Sequence, residues 1–450
     1  MVNEEFPVVT VIGAGLAGCE AALQLAARGV PVRLIEMRPE RSTPVHKTGN
    51  VAELVCSNSF KSVDPETAAG SLKYELSVLG SKLLACAFDT RVAAGGALAV
   101  DRNEFSAAVQ RLIDATPNIE FVHEECTSIP EGPAIIATGP LTADALASQL
   151  AVELGSQGLA FYDAAAPIVE ADSIDRSVVF AQSRYDKGGT ADYLNAPFTK
   201  EEYEAFVDEL VAARRVIEKD FERRELFAAC QPVEEVARTG RDALSHGALK
   251  PVGLTDPRTG RRPWAAVQLR AENAAATAYN LVGFQTNLKF PEQKRGFSMI
   301  PGLEHAGFAR YGVMHHRNTF VDTPHVLTKT LAMPSRPEVH LAGQLTGTEG
   351  YLEAVASGLF VALAVYAELA GLAEPTLPRE SLFGCLLAYA TDPATADYQP
   401  MHVNYGIIDP VEPKIRNKRE RKAAYAARAH AAIDAFVDDR ADLFEKAFVS

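Results

Sequence analysis

The sequence predicts an α/β protein that begins with a Rossmann-like dinucleotide-binding unit. Three observations support this fold: a β-branched run at 8–12, a glycine-rich turn directly after it, and an alanine-rich segment that leads into a second apolar run. Apolar residues make up 47% and charged residues 23% of the 450 positions, which is typical of a globular chain. A chain of this length predicts two or three domains.

The first βαβ unit carries a complete dinucleotide fingerprint. Its turn consists of Gly13, Ala14, Gly15, Leu16, Ala17 and Gly18. Gly13 permits the tight turn, Gly15 lets the backbone approach a pyrophosphate, and Gly18 lets the helix pack against the strand. The second strand, 32–35, is closed by Glu36, whose carboxylate can accept hydrogen bonds from ribose hydroxyls and disfavours a 2′-phosphate. FAD or NAD is therefore the expected ligand, and a glycine-rich turn without a ligand is the alternative.

Two later segments favour FAD. The run PAIIATG at 133–139 resembles a strand common to large FAD-binding oxidoreductases, and VHLAGQLTGTEGY at 339–351 resembles their second flavin-contacting segment. An alanine-rich helix follows 339–351, and its N-terminus would stabilise the negative charge that a flavin gains near N1 on reduction. Gly343, Gly347 and Gly350 would let the backbone lie against the ring. Alternatively, this segment is only a loop-to-helix junction.

The position of these motifs predicts a discontinuous FAD-binding domain, 1–165 and 305–450, with an inserted α+β domain at 166–304. Thr199 and Glu202 form a capping-box pattern that predicts a helix to about residue 217. Further pieces of the insertion are predicted as strands at 265–269 and 279–284 and as a short helix at 291–300. There is no second glycine fingerprint in context, so a nicotinamide donor would bind only transiently.

Charge and cysteine usage narrow the class of protein. Forty-four Lys and Arg against 58 Asp and Glu give a net charge of −14, which argues against a general nucleic-acid coat but leaves room for local basic patches such as 414–422. The sequence shows no apolar run of about 18 residues, and its N-terminus is acidic. We therefore expect a cytoplasmic protein without a membrane span. The six cysteines contain no CxxC pair, so no metal site is expected.

Two cysteines have surroundings that suit chemistry. Cys56 is followed by the small polar residues of VCSNSF, as at a turn or helix start where a thiolate is favoured, and Cys230 stands before Gln-Pro-Val-Glu-Glu. Buried structural cysteines are the alternative for both. Cys19 is expected in the core, and the other three cysteines are expected to be structural.

With these residues assembled, the chain resembles the TrmFO (Gid) family along nearly its whole length. The stretches that carry the resemblance include GAGLAGCEAA (13–22), EMRP (36–39), AELVCSNSF (52–60), GGALAVDRNEFS (95–106), CQPVEE (230–235), LKPVGLTDPRTGRRPWAAVQLR (249–270), NLVGFQTNLKFPEQKR (280–295), RYGVMH (310–315) and GQLTGTEGYLEAVASG (343–358). The larger MnmG (GidA) proteins share the FAD part but modify the anticodon wobble uridine, and they carry a long C-terminal extension.

The resemblance implies methylation at C5 of the T-loop uridine of tRNA, position 54, to give 5-methyluridine. Carbon would come from 5,10-methylenetetrahydrofolate and electrons from NAD(P)H through FAD, with the tRNA elbow as the docking surface. The family's two catalytic cysteines fall on Cys56 and Cys230. One would add to uracil C6 and the other would assist; we favour Cys230 as the nucleophile because Cys56 lies in the FAD domain, but the sequence leaves this open.

The resemblance also raises open points. A histidine lid over the pteridine is reasonable, and His315 is the candidate, although an extra histidine, His316, makes the register ambiguous. Alternative functions are a flavin oxidoreductase for a small molecule, a flavin-bearing RNA-binding protein whose cysteines are structural, and a wobble-uridine modifier.

Overall fold

A computed structural model describes residues 6–43, 46–155, 159–161, 166–186, 191–216, 231–312, 318–395 and 398–444. The strands are β1 (Val9–Ile12), β2 (Val32–Glu36), β3 (Ser59–Ser62), β4 (Arg91–Val92), β5 (Ala97–Val100), β6 (Ile119–His123), β7 (Ala134–Ile136), β8 (Leu159–Phe161), β9 (Ile168–Glu170), β10 (Phe180–Ala181), β11 (Tyr193–Phe198), β12 (Ala265–Ala271), β13 (Ala278–Leu281), β14 (Phe308–Arg310), β15 (Asn318–Phe320), β16 (Ala332–Met333) and β17 (Arg336–Leu341). The helices are α1 (Leu16–Ala27), α2 (Ala68–Val78), α3 (Lys82–Asp89), α4 (Arg102–Asp114), α5 (Asp144–Glu153), α6 (Lys200–Ala212), α7 (Val233–Thr239), α8 (Ala243–His246), α9 (Phe290–Phe297), α10 (Thr323–Val326), α11 (Tyr351–Leu369), α12 (Leu382–Thr391) and α13 (Lys418–Asp439).

The first layer is a six-stranded sheet with the spatial order β16-β17-β7-β1-β2-β6. All neighbours pair in parallel except β16, which runs antiparallel to β17 at one edge. The central strands are short β-branched runs that are buried on both faces, as parallel strands covered by helices require. The predicted Rossmann-like α/β fold is therefore confirmed. Because parallel strands end at one sheet edge, β1, β2, β7 and β17 bring their carboxyl ends together there.

Helices α1 and α11 pack against each other beside this sheet. A Cβ atom at Gly358 would lie 2.1 Å from the carbonyl oxygen of Ala17, so the glycine permits the close crossing. Among the described helices, α11 alone is long and apolar enough to cross a membrane, with a mean hydropathy of 1.7, but 89% of that window is buried inside the protein. The expectation that the sequence holds no apolar run of about 18 residues is therefore wrong. The run exists, and it forms the buried core helix α11.

A second, antiparallel sheet has the order β10-β11-β12-β13-β9-β14. Its hydrophobic core draws on residues 166–303, whereas the core of the parallel sheet draws on 9–150 and 321–444. We propose that these two cores correspond to the inserted domain and the discontinuous domain expected from the sequence. Strand β14 joins the second sheet although it follows the expected boundary at 304.

Helix α6 begins with the predicted capping box: Thr199 Oγ1 accepts from the Glu202 N–H, and the Glu202 carboxylate accepts from the Thr199 N–H. The helix ends at Ala212, about one turn before the predicted end. The reason is a competing pairing, since the Val216 N–H donates to the Asn287 carbonyl at 2.7 Å and the following chain turns away from the helix axis. Helix α9 likewise ends at Phe297 rather than at residue 300.

Candidate active site

The glycine-rich turn lies where β1 meets α1. Gly13 has φ of +96°, and a Cβ atom there would lie 2.7 Å from the Ala137 carbonyl oxygen, while a Cβ atom at Gly18 would lie 1.8 Å from the Gly13 oxygen. At Gly15, in contrast, an added Cβ would meet nothing within 4 Å. Two of the three fingerprint glycines are thus required by packing, and Gly15 faces open space at the start of α1.

That open space is a cleft of about 1050 Å³, partly open to solvent, at the carboxyl edge of the parallel sheet. Its wall includes Gly13, Gly15, Leu16, Ala17, Glu36, Arg38, His46, Val55, Thr138, Gly139, Thr142, Gly343, Gln344 and Tyr351. The start of α1 has no side-chain cap, so its first N–H groups and its positive dipole end are available to an anionic ligand. A cleft with this wall suits a dinucleotide.

Glu36 occupies the position expected for a ribose-binding carboxylate, and it already has protein partners. One oxygen accepts from the Ala14 N–H at 2.8 Å, and the other accepts from the Arg38 N–H at 3.1 Å and from Arg38 Nε at 2.7 Å. Burial alone would raise the pKa of Glu36, but the Arg38 hydrogen bonds and charge, with the Ala14 N–H, lower it below its ordinary value. Glu36 therefore holds the Ala14 turn in place as an anion, besides lining the cleft.

The three glycines of the second predicted flavin-contacting segment have different surroundings. Gly343 lines the cleft and faces α1, because its Cβ would lie 2.9 Å from Ala17 Cβ. Gly347 and Gly350 also have positive φ, but an added Cβ would meet Tyr398 Oη at 2.5 Å and Glu353 Oε2 at 2.3 Å, respectively. Packing within the protein explains these two glycines without a ligand.

Cys56 lies in a bend between the cleft and β3, next to Val55, which lines the cleft. Its Sγ is 2.9 Å from the hydroxyl oxygen of Tyr351, the first residue of α11, and that oxygen also accepts the N–H groups of Cys56 at 3.0 Å and of Ser57 at 3.1 Å. Tyr351 itself lines the cleft. The expected turn is present, and there is no helix start at Cys56.

Three arginines from distant elements hold the backbone around this cysteine. Arg102, at the start of α4, donates to the Leu54 carbonyl and forms an ion pair with Glu272 at 2.6 Å. Arg310, at the end of β14, donates to the Val55 carbonyl at 3.3 Å. The segment before the thiol is thus held by one residue from helix α4 and one from the antiparallel sheet.

Arg270, on β12, holds the residues after the thiol. Its Nε donates to Asn58 Oδ1 at 2.9 Å and its Nη2 to Ser57 Oγ at 3.2 Å. Asn58 is fully buried, and its amide donates to the carbonyls of Val100 and Ala271 at 3.0 Å each. The CSNS sequence is therefore a fixed backbone element rather than a flexible surface loop.

The electrostatics of this site combine burial with positive charge. Burial raises the pKa of Tyr351 well above its ordinary value, and the nearby Cys56 raises it further, so the hydroxyl stays protonated at neutral pH. Burial and the neighbouring Arg102 lower the pKa of Arg310. Burial would also lower the pKa of Arg102, but Glu272 and then Tyr351 raise it overall. Cationic neighbours of this kind favour the thiolate form of a cysteine.

The other cysteines and the two candidate histidines remain to be located. Cys19 is fully buried on α1, as expected, and burial raises the pKa of Cys86 to about 11 and of Cys385 to about 12. Cys230, His315 and His316 lie outside the described residues, so their predicted roles stay predictions. Within the described ranges, no group of three or more His, Cys, Asp or Glu side chains could hold a metal ion.

Sequence reasoning did not single out Tyr351 or the three arginines. All four stand inside the stretches that carry the family resemblance: 95–106, 249–270, 310–315 and 343–358. The sequence offers a local signal for Arg270 only, which is the one charged residue of AAVQLR at 265–270.

The comparisons with known proteins agree with this architecture. A family model described as glucose inhibited division protein A matches residues 8–373. The solved structure of Aquifex aeolicus GidA superposes with a TM-score of 0.67 at 15% identity, covering 99% of this chain and 76% of that chain. Fold and cleft thus define a dinucleotide-binding α/β protein with the GidA architecture.

Relatives at higher identity narrow the family. A Pelotomaculum thermopropionicum protein named methylenetetrahydrofolate--tRNA-(uracil-5-)-methyltransferase TrmFO is 53% identical over 429 residues, covering 95% of this chain and 98% of that protein. A Bacillus licheniformis protein of the same name is 50% identical over 421 residues, covering 94% and 96%. The chain belongs to the glucose inhibited division protein A family and, within it, to the TrmFO proteins.

Proposed function

We propose that this protein methylates C5 of the T-loop uridine of tRNA, position 54, giving 5-methyluridine. The carbon donor is 5,10-methylenetetrahydrofolate, the reductant is NAD(P)H, FAD is the resident cofactor, and the reaction takes place in the cytoplasm. The names of the TrmFO relatives support the one-carbon donor, tRNA and the uracil C5 position. The T-loop position, the reductant and the compartment follow from the family resemblance.

The cleft fits FAD. Gly15 leaves open space for a pyrophosphate at the uncapped start of α1, Glu36 is held as a carboxylate where a ribose would lie, and Gly343 and Tyr351 also line the cleft. When bound, FAD supplies the redox chemistry that passes reducing equivalents from NAD(P)H to the transferred carbon. Helix α11 begins at Tyr351, so its N-terminus lies at the cleft wall.

The thiols supply the chemistry that uracil lacks. Uracil C5 is a poor nucleophile, and addition of a thiolate to C6 forms an S–C6 bond and moves the C5–C6 electron pair into an enolate, so that C5 can attack an electrophilic carbon. Loss of the C5 proton and elimination of the thiolate later restore the ring and the free sulfur. We assign Cys56 and Cys230 to this nucleophilic step and to the accompanying proton transfer.

One observation carries the proposal: the Cys56 thiol is held by a residue of the cleft wall. Tyr351 lines the cleft, and its hydroxyl contacts both the Sγ and the N–H of Cys56. The three arginines hold the carbonyls and side chains on either side of the thiol. The position from which the sulfur would approach the uracil ring is therefore set before the substrate binds. Arg102 and Arg310 also supply positive charge beside the sulfur.

The direct test is transfer of a labelled carbon. Purified protein is incubated with unmodified tRNA transcript, NADPH and methylenetetrahydrofolate labelled in its methylene carbon, and the digested RNA is analysed by mass spectrometry. Label in 5-methyluridine of the T-loop is the expected result. Bound, reducible flavin without labelled RNA would instead indicate a small-molecule oxidoreductase, and label in the anticodon would indicate a wobble-uridine modifier.

A further inference from the structure

A partly exposed stack of aromatic rings lies beside the Cys56 segment. It consists of Phe290, Tyr311 and Phe308, which we call the Phe290 stack. The rings of Phe290 and Tyr311 are 5.7 Å apart with an interplanar angle of 39°, and those of Tyr311 and Phe308 are 5.0 Å apart at 16°. Phe290 is 56% exposed, which is unusual for a large apolar side chain.

The stack is tied to the candidate active site through the chain itself. Tyr311 follows Arg310, whose guanidinium donates to the carbonyl of Val55, the residue before Cys56. The next residue, Gly312, accepts a 2.7 Å hydrogen bond from the buried Gln293 of α9, the helix that begins at Phe290. Two backbone anchors therefore hold the stack at a fixed place next to the thiol segment.

Positive charge borders the rings. Lys289 precedes Phe290, and Lys294 is exposed on the same short helix. The buried Glu292 is neutralised by Arg214 at 2.9 Å and by Arg295 at 2.5 Å. The segment 289–295 thus presents the Phe290 ring together with the exposed cations Lys294 and Arg295, of which Arg295 is paired with Glu209 and Glu292.

We infer that the Phe290 stack is a base-stacking site for the unpaired RNA nucleotides that flank the target uridine. Proteins that bind single-stranded nucleic acid combine aromatic side chains, which stack on bases, with cations that follow the backbone. Loop bases of RNA are accessible to such stacking, whereas bases in an A-form stem are not. The inference rests on the proposed function, because it takes the T-loop as the partner.

The test compares two RNAs and two matched variants. The RNAs are a T-arm hairpin and a duplex with the same stem but no loop; the variants are Phe290→Leu, which keeps apolar volume but removes the ring, and Phe88→Leu, an exposed phenylalanine on α3 as control. Holoenzyme binding is measured by fluorescence anisotropy at several salt concentrations, with NADPH-dependent flavin reduction as the check of folding.

Phe290→Leu should weaken hairpin binding about 10-fold and leave duplex binding and flavin reduction unchanged. The slope of log Kd against log salt should also stay the same, since no phosphate contact is lost. A Lys294→Ala variant should behave differently: it weakens both RNAs and lowers the slope by about one.

The inference would be overturned if Phe290→Leu weakened binding of the hairpin and the duplex equally or weakened neither. It would also be overturned if Phe88→Leu weakened hairpin binding as much as Phe290→Leu does. A change in the mass of the particle in solution without a change in RNA binding would make the stack a self-association surface instead. If the wild-type protein carries methyl label to tRNA while Phe290→Leu is normal, only this inference fails. If the wild type binds no RNA, the proposed function fails with it.

Discussion

The glycine-rich turn and the Cys56 segment are two backbone elements of similar size that are built in opposite ways. In the turn, the longest side-chain hydrogen bond, from the Ala14 N–H to Glu36, spans only 22 positions. The Cys56 segment is held by partners 48, 212, 255 and 295 positions away, namely Arg102, Arg270, Arg310 and Tyr351. The first is a local motif, and the second exists only in the folded chain.

This difference matches the different requirements of cofactor binding and of a reactive thiol. A dinucleotide cradle needs small residues and a helix N-terminus in sequence order, so one βαβ unit suffices. A reactive thiol must be held at a set distance from two bound partners, and here contacts from several elements distant in sequence provide this. We therefore expect changes at the turn to affect cofactor retention and stability, and changes around Cys56 to affect turnover with the cofactor retained.

The largest expected effect is that of Cys56→Ser, which should lower methyl transfer about 1000-fold or more while FAD content stays at the wild-type level. The reason is that the thiol stands beside the cleft but is not part of the dinucleotide cradle. The measurement is label in 5-methyluridine per bound flavin. Cys86→Ala is the control, because it removes a buried thiol on α3 that does not line the cleft and should cost only stability. Residual turnover within tenfold of wild type would remove Cys56 from the reaction.

Arg270→Met tests whether the long-range grip matters. The variant keeps apolar length but loses the bonds to Asn58 and Ser57, so the thiol should shift and kcat should fall about 100-fold. FAD binding and the KM for the folate should change little. Arg270→Lys should recover only part of the loss, because one ammonium cannot reproduce the two directed bonds. A variant that loses flavin in proportion to activity would show that the two regions are not separable.

Two glycines of the turn test the effects expected there, on cofactor retention and on stability. Gly15→Ala should leave the apoprotein's free energy of unfolding unchanged, because the new methyl group meets open space, but it should weaken FAD binding about 10-fold or more. Gly18→Ala should instead cost about 3 kcal/mol or more of stability, since its methyl would lie 1.8 Å from the Gly13 oxygen. Denaturant unfolding of the apoproteins and flavin titration separate the effects. The same loss of stability in both variants would contradict the assignment.

The same contrast explains how much the sequence could predict. The strand at 9–12, the turn, the helix and Glu36 follow from residues within one short window, and all of them are where the pattern predicted. The capping box at Thr199 was equally local, whereas the end of α6 was not, because residues 287–289 on a later segment decide it. Local rules predict where an element begins better than where tertiary contacts end it.

The candidate site was predictable only in part for the same reason. Cys56 could be chosen from its small polar neighbours, but nothing near it in sequence points to Tyr351 or Arg270. Those partners are found only when folding brings β12 and α11 next to the segment that precedes β3. Gly347 and Gly350 show the converse case, since contacts with Tyr398 and Glu353 give these glycines a packing role, while their predicted contact with the flavin stays a prediction.

The smallest effect concerns how β3, the strand after the Cys56 segment, is anchored. Lys73 of α2 is buried, and its ammonium donates to the carbonyls of Phe60 and Ser62 at 2.6 and 2.7 Å. Burial lowers the pKa of Lys73 from 10.5 to about 7, although Glu353 opposes this. Between these two values the unfolded chain binds the proton more fully than the folded chain, so the free energy of unfolding should rise with pH in that window by about 1 kcal/mol per unit or less.

Lys73→Met should remove this part of the rise, and its destabilisation relative to wild type should therefore grow between pH 7 and pH 10. Urea unfolding of the apoprotein at pH 7, 8, 9 and 10 measures the difference, with Lys82→Met on α3 as control. A destabilisation that stays constant with pH would mean that Lys73 contributes only through its hydrogen bonds and that its charge is not penalised by burial.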